Sequence, residues 1–477
     1  IACDVMARFM RSSGYQVKFL TGTDEHGQKV EKSANLKNID PQKFTDEVSN
    51  RFRDLSSLLN LSNDDFIRTT EERHKKGAIA LWNKLLANGY IYLGEYAGWY
   101  AMRDEAFYAE SELIDGKAPT GADVEWVKEP SYFFALSKFQ DKLLEFYENN
   151  PHFIEPESRR NEVISFVKSG LLDLSVSRTS FKWGIKIPQN PDHVMYVWLD
   201  ALTNYISALG YPDNTELYNN FWPADLHVVG KDILRFHAIY WPAFLMAADL
   251  PLPKKIIAHG WWTNEGQKIS KSLGNVINPI DLVEEFGLDQ TRYFVMREVP
   301  FGQDGNFSKI NMQNRINSEL ANNIGNLAQR VLAFINKNVD AQVPLVNIEK
   351  LYKESLLNNL QNKVQAYKNM MHEQKFNQAL EIIISMANDA NLFIEREAPW
   401  ALRKTGSIDR MNEVLYILIE MIRYIGVLLI PFMPDSMTKL LHQLNVVQFE
   451  FAYLNIENAI KPEATLPTPE SIFPRIV

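Results

Sequence analysis

The chain has 477 residues, more than one hydrophobic core normally supports, so about two to four domains are expected. Hydrophobic residues make up 46% and charged residues 23%, and a formal net charge of -9 excludes bulk-charge coating of nucleic acid while leaving room for a local basic groove. The single cysteine, Cys3, excludes an internal disulfide framework and any multi-cysteine zinc site, and fits a reducing cytosol.

Met6 to Ser13 has a helical pattern. Val17 to Leu20 reads as a strand that runs into the polar loop Thr21-Gly22-Thr23-Asp24-Glu25-His26-Gly27, with a helix from near Gln28. Strand, loop and helix in that order form the unit of an open parallel sheet, which carries its chemistry at the carboxyl ends of its strands. From Tyr90 to Pro156 aromatic residues crowd together and turn-rich text intervenes at Asp115 to Gly121, the texture of a small β-containing insertion. The α/β pattern resumes with the apolar runs Leu226 to Val229 and Lys255 to His259, each leading into a glycine-containing loop.

Beyond about Asn311 strand signals fade. Ile316, Leu320, Ile324, Leu327, Val331 and Phe334 recur at steps of three and four, and Phe376, Leu380, Ile383, Ala387, Ala390 and Ile394 repeat the pattern before Pro399. The most apolar stretch, Leu415 to Met433, contains Glu420 and Arg423 and predicts a core helix rather than a membrane span. The expected organisation is an α/β domain in two halves, 1–89 and 157–260, split by an inserted module at 90–156. A loop-bearing region at 261–310 and a helical bundle at 311–477 complete the chain.

Four segments carry chemistry. Gly266-Gln267-Lys268-Ile269-Ser270-Lys271-Ser272-Leu273-Gly274-Asn275 places two lysines and two hydroxyls between glycines, a cationic loop able to close on a polyphosphate. Out of context such a run is an exposed polar loop, but it follows the strand ending at His259 and precedes Asn278-Pro279 and a helix. Asp24, taken alone, reads as a helix N-cap. In Tyr196-Val197-Trp198-Leu199-Asp200-Ala201-Leu202-Thr203-Asn204-Tyr205, the residues Trp198, Ala201 and Tyr205 form an i, i+3, i+7 stripe of the kind that usually faces a core. In Val229-Gly230-Lys231-Asp232-Ile233-Leu234-Arg235-Phe236-His237, Gly230 lets backbone approach a nucleotide, Asp232 is placed to accept from ribose hydroxyls, and His237 alone would pass for a satisfied core histidine.

Together these blocks resemble those of methionyl-tRNA synthetases, which are class I aminoacyl-tRNA synthetases, and the resemblance runs from Ile1 to the C-terminal bundle. Ile269 stands where the family's lysine loop has Met, an apolar-for-apolar change. The resemblance implies a Rossmann-type parallel sheet split by an inserted connective module, followed by an all-α anticodon-binding bundle. It implies Mg-ATP, L-methionine and tRNA(Met) as substrates. Asp24 would meet the α-ammonium group, and Trp198, Ala201, Leu202, Tyr205, Ile233 and His237 would line the methionine side-chain pocket. Gly230, Asp232, Lys268 and Lys271 would take ATP, with Lys268, Ser270, Lys271 and Ser272 as the catalytic loop. Arg178 matches a further active-site position, and Asn326, Arg330 and Trp400 match positions that read the anticodon. A flexible, weakly accepting thioether suits an aromatic-lined pocket with one hydroxyl donor.

The aromatic insertion has no cysteine and resembles the zinc-free subgroup, so no structural zinc is expected. A cytoplasmic monomer without membrane contact is the accompanying expectation. Leucine, isoleucine, valine and cysteine enzymes share the lysine loop, but they carry larger editing insertions or a catalytic zinc. A non-catalytic tRNA-binding protein would have no use for Lys268, Lys271, Asp24 and Asp232. The family's His-Ile-Gly-His tetrapeptide, which binds ATP phosphates, is absent from this sequence, and the helix beginning near Ile1 resembles the one that comes after it. The polypeptide as it stands is therefore read as truncated and is not expected to form an adenylate; ATP–pyrophosphate exchange at a normal rate would contradict this.

Overall fold

A computed structural model describes residues 1–213, 215–269, 274–354 and 356–476. The chain divides into two compact units, Lys18–His259 and a second made of Ile1–Val17 with Gly260–Val477.

In the first unit two parallel strands, Leu20–Thr23 and Asp65–Arg68, lie side by side with Thr21 opposite Phe66. The strand thus begins where Val17 to Leu20 was expected to end. Its ladder partner starts only at Asp65, and the Asp64 carboxylate takes the Phe19 N–H at 2.6 Å, closing off the preceding apolar run. A second parallel sheet sets Ile256–His259 between His227–Gly230 and Ile154–Glu155. The insertion is antiparallel: Ile91–Ala101 pairs with Ala106–Tyr108 on one side and Glu125–Phe134 on the other, and Leu174–Ser175 adds a fourth strand. Trp82, Phe134, Trp241 and Phe244 are fully buried in the core of this unit, each burial contributing roughly 1.5–3 kcal/mol.

The second unit is mainly helical. Its first helix is Ala2–Ser12, whose Phe9 ring meets His372 edge-on at 5.1 Å and Tyr367 at 6.0 Å. Asp4 on the same helix is fully buried against Arg292 at 2.6 Å, and Arg292 also donates to the Phe432 carbonyl at 2.9 Å. An unpaired charge there would be strongly unfavourable, so the pair pins this helix to the bundle.

The stripe from Ile316 to Val331 is buried as its period requires. Its helix is not uniform, however: Ile316–Gly325 is π-helical and Asn326–Asn338 is α-helical. Phe376–Glu397 is one helix, ending at Ala398 in the left-handed region (φ 42°) just before Pro399. The helix Ile408–Leu429 is buried along Val414–Leu429. Its two charges satisfy each other inside the bundle, Arg423 to Glu420 at 2.7 Å, with the Tyr352 hydroxyl donating to Glu420 at 2.5 Å. Among the described residues no helix is long and apolar enough to cross a membrane.

Candidate active site

The loop leaving strand Leu20–Thr23 carries two adjacent acids with different surroundings. Glu25 is buried and tethered: it accepts from Arg68 Nε at 2.7 Å, Arg68 Nη2 at 2.9 Å and Thr70 Oγ1 at 2.5 Å. Its backbone carbonyl accepts the Trp183 indole N–H at 2.6 Å. Asp24 caps no helix, because the N-cap of Gln28–Leu36 is Gly27. Asp24 as a residue is exposed. The surrounding protein, then Glu105 and Asp200, push it well above the ordinary carboxylate range, while the His26 backbone N–H opposes the shift. An acid in that condition gains most from an incoming cation.

Below this loop lies a chain of buried polar groups. Asp200 is fully buried and accepts from His26 Nδ1 at 2.7 Å and His74 Nε2 at 2.7 Å, and His74 Nδ1 contacts Ser207 Oγ at 2.9 Å. Burial alone would raise the Asp200 carboxyl, but His26 and His74 outweigh it and hold the group at about 2. Asp200 lies on the helix Val197–Leu202, so it joins the Asp24 loop to the segment bearing Trp198, Ala201 and Leu202.

Aromatic residues of the segments Tyr196 to Tyr205 and Val229 to His237 meet in space. Trp198 stacks on Phe236 at 3.8 Å between ring centroids and meets His237 edge-on at 6.4 Å. His237 Nδ1 lies 3.1 Å from the Ile233 carbonyl, which can only accept, so the proton is on Nδ1. Nε2 therefore accepts the Tyr205 hydroxyl at 2.7 Å. Burial lowers the His237 imidazole to about 4 and that of His227, packed on the Tyr205 ring at 4.0 Å, to about 3, so both are neutral at physiological pH. The Tyr205 proton is thus engaged by His237, where the sequence had suggested a hydroxyl available to donate to a thioether. Ala201 and Leu202 are buried, whereas Trp198, Tyr205 and Ile233 are half-buried. His237 sits in a π-helical turn, Phe236–Tyr240, a local widening common at binding sites.

Asp232 is exposed just beyond the carboxyl end of strand His227–Gly230. A Cβ on Gly230 would come within 2.5 Å of Asp232 Oδ1, so a side chain there would displace the Asp232 carboxylate. Arg178 is set apart from this surface: it is buried, paired with Glu129, and stacked 4.1 Å from the Tyr100 ring centroid and 5.2 Å from that of Phe107.

Lys268 belongs to the other compact unit. It is exposed on a hairpin made by Trp262–Asn264 and Gln267–Lys268, turning through Glu265 (φ 48°) and Gly266 (φ 78°). Asn275 Nδ2 donates to the Lys268 carbonyl at 3.1 Å, and Asn278 caps the next helix, Pro279–Phe286. Ser270, Lys271 and Ser272 lie outside the described residues. Elsewhere in that unit Asn326 is exposed at the start of its α-helix. One turn on, the Arg330 guanidinium lies 5.4 Å from the Trp400 ring centroid and 2.7 Å from Glu395. Trp400 is exposed.

His26, His74, Asp200, Glu105, Phe236 and Glu395 were not picked out by the sequence motifs. A lone acid inside the apolar run Tyr196 to Leu202 was the available signal for Asp200. The two histidines are separated from it by well over a hundred residues and gave none. Among the described residues no group of three or more His, Cys, Asp or Glu is placed to hold a metal ion.

A family model described as class I tRNA synthetases (M) matches residues 1–125 and 109–332. The parallel sheets, with their exposed acids at strand ends, are thus those of a class I aminoacyl-tRNA synthetase. A model for the anticodon binding domain of methionyl tRNA ligase matches residues 343–477. The chain belongs to the methionyl-tRNA synthetase family. It is 63% identical over 481 residues to methionine–tRNA ligase of Rickettsia conorii, covering 100% of this chain and 94% of that protein. The corresponding protein of Brucella suis is 51% identical over 483 residues, with the same coverage. The structure of Mycobacterium tuberculosis methionyl-tRNA synthetase in complex with methionyl-adenylate superposes with a TM-score of 0.95 at 46% identity, covering 99% of this chain and 95% of that one.

Replacing Asp200 by Asn should cost roughly 3 kcal/mol, because at least one buried histidine loses its charged acceptor. Its carboxyl is depressed from 3.8 to about 2 in the folded protein, so its contribution is present above pH 4 and lost as pH falls toward 2. Denaturant unfolding should show that acid-sensitive component in the parent and not in D200N.

Proposed function

We propose that this protein activates L-methionine with Mg-ATP to methionyl-adenylate and transfers the methionyl group to the 3' end of tRNA(Met). The observation that carries this is the cluster in which Trp198 and His237 meet, with Tyr205 bonded to His237 at 2.7 Å. That cluster is joined to the Asp24 loop through Asp200 and His26. A neutral, aromatic-lined cavity suits an unbranched thioether, and a carboxylate with raised proton affinity suits an ammonium group.

In this reading Asp24 receives the α-ammonium, and Ala201, Leu202 and Ile233 complete the side-chain pocket. Gly230 and Asp232 receive the nucleotide, with Asp232 accepting from ribose hydroxyls. Lys268 and Lys271, with Ser270 and Ser272, neutralise the pyrophosphate as it leaves. No side chain forms a covalent bond; the protein orients the methionine carboxylate toward the α-phosphate and stabilises the charge that develops. Arg178, held by Glu129, serves by fixing the junction of the insertion with the site. Asn326, Arg330 and Trp400 read the anticodon by edge hydrogen bonds and stacking, in the manner suited to splayed single-stranded bases. Aromatic packing in the insertion, such as Tyr100 on Phe107 at 5.0 Å, supports a zinc-free module. The reading also takes the protein to be a cytoplasmic monomer.

ATP–pyrophosphate exchange by the protein as its gene encodes it should proceed with methionine and fall by at least about tenfold with leucine, isoleucine or valine; equal exchange with leucine would overturn the assignment. Lys268→Ala or Lys271→Ala should reduce exchange by roughly two to three orders of magnitude with little change in methionine affinity. Trp400→Ala should lower kcat/KM for tRNA charging by about tenfold or more while sparing exchange, as expected for loss of one stacked base. Equal loss in both assays would remove Trp400 from anticodon reading.

A further inference from the structure

Glu105 lies in the inserted module, in the turn between strands Ile91–Ala101 and Ala106–Tyr108, in a left-handed backbone conformation (φ 49°) unusual for a residue with a long side chain. Such a conformation persists only where its surroundings enforce it. Here the Tyr196 hydroxyl donates to the Glu105 carbonyl at 2.9 Å. The side chain reaches across to the loop after the first strand. A Cβ at Gly27, itself at φ 111°, would fall within 2.4 Å of Glu105 Oε1. Gly27 has no side chain to cap the helix Gln28–Leu36, and the Lys29 backbone N–H lies on the side of the Glu105 carboxylate, where it favours the charged form. Oε1, however, is shut away from water and has no hydrogen-bond partner among the described residues.

A capping role alone would leave no reason for an unpaired, enclosed carboxylate oxygen beside Gly27, three residues along the loop from Asp24. Building on the methionine-site reading above, we propose that Glu105 is a positioning residue for amino-acid recognition, a second negative charge that the inserted module places beside the Asp24 loop to strengthen capture of the substrate ammonium group. The groups facing Glu105 are Lys29 on the helix, Asp24 on the loop, Tyr100 on the insertion strand and Tyr196 ahead of helix Val197–Leu202. Its neighbours Arg103 and Asp104 pair with each other at 3.1 Å. Burial raises the Glu105 carboxyl to about 7, with Lys29 opposing, so the empty site holds a proton near neutrality. Glu105 is also the largest charge acting to raise Asp24. When an ammonium group docks at Asp24, the added positive charge favours both carboxylates, and the carboxyl O–H gives up its proton to solvent. By linkage, methionine affinity rises with pH across neutrality.

The test is calorimetric titration of L-methionine into the protein as its gene encodes it, at pH 6, 7 and 8, in two buffers of different ionisation enthalpy. The parent should release a fraction of a proton per methionine near pH 7 and bind about tenfold more weakly at pH 6 than at pH 8, the change expected for one carboxyl titrating in that range. Glu105→Gln, which keeps an acceptor for the Lys29 N–H, should bind methionine about tenfold more weakly at pH 8. Its remaining pH dependence should move to lower pH. The analogue lacking the amino group, 4-(methylthio)butanoate, should bind parent and variant alike and release no proton. Glu105→Asp, compatible with the left-handed backbone, should retain the neutral-pH proton release in part and serves if the Gln variant unfolds. No proton release by the parent, or equal release by Glu105→Gln, overturns the inference. Failure of the parent to bind methionine at any pH would instead overturn the Asp24 reading on which it rests.

Discussion

Asp200 holds a negative charge where no water reaches it, and the site of the Lys18–His259 unit is organised around that fact. A buried carboxylate is tolerated only when strong donors surround it. The donors here come from distant parts of the chain, His26 from the loop after the first strand and His74 from the helix Glu72–Ala87. The charge therefore fixes three segments relative to one another: the loop bearing Asp24, the helix behind it, and the helix bearing Trp198. Moving any of them would leave a hydrogen bond unmade in a medium that penalises the loss heavily. In the proposed reading, where the ammonium and the side chain of an amino acid are met at a fixed separation, this network would set that separation.

The two halves of the site use opposite electrostatic strategies. At the loop, burial and neighbouring acids raise the proton affinity of Asp24, and burial that of Glu105. At the pocket, His227 and His237 are kept neutral by burial, and the polar link between side chains is the Tyr205–His237 hydrogen bond. A charged imidazole there would bring water and penalise a thioether. The inserted module takes part in both halves: Phe107 packs on Tyr196 at 5.6 Å, next in sequence to the pocket helix, and Glu105 abuts Gly27. The insertion is thus packed against the segments that carry the candidate site and is more than an appendage to the sheet.

Both candidate recognition regions lie at a local change of helix type. His237 lies within the π-helical segment Phe236–Tyr240, and Asn326 comes directly after the π-helical segment Ile316–Gly325. Widening a helix by one residue rotates the next turns about the axis, so the side chains that follow face another direction than strict α periodicity would give them. On the second unit, the exposed ring of Trp400 lies by the Arg330 guanidinium, after a left-handed turn at Ala398 that ends the preceding helix before Pro399.

The sequence by itself determined the α/β-then-helical order, the buried stripe Ile316 to Val331 and the helix end ahead of Pro399, because periodicity and local turn chemistry are properties of neighbours along the chain. It also placed Trp198, Tyr205 and His237 as candidates, although only by resemblance, since a core stripe has the same spacing. It put the first strand three residues too early, because an apolar run becomes a strand only where a partner pairs with it, and that partner begins at Asp65. Tertiary structure alone decided that Asp24 stays open while Glu25 is tethered, that Arg178 turns inward to Glu129, and that His26, His74 and Asp200 form one network. Those outcomes depend on which distant groups meet in the absence of water, and burial and pairing over such separations leave no local trace in the order of residues.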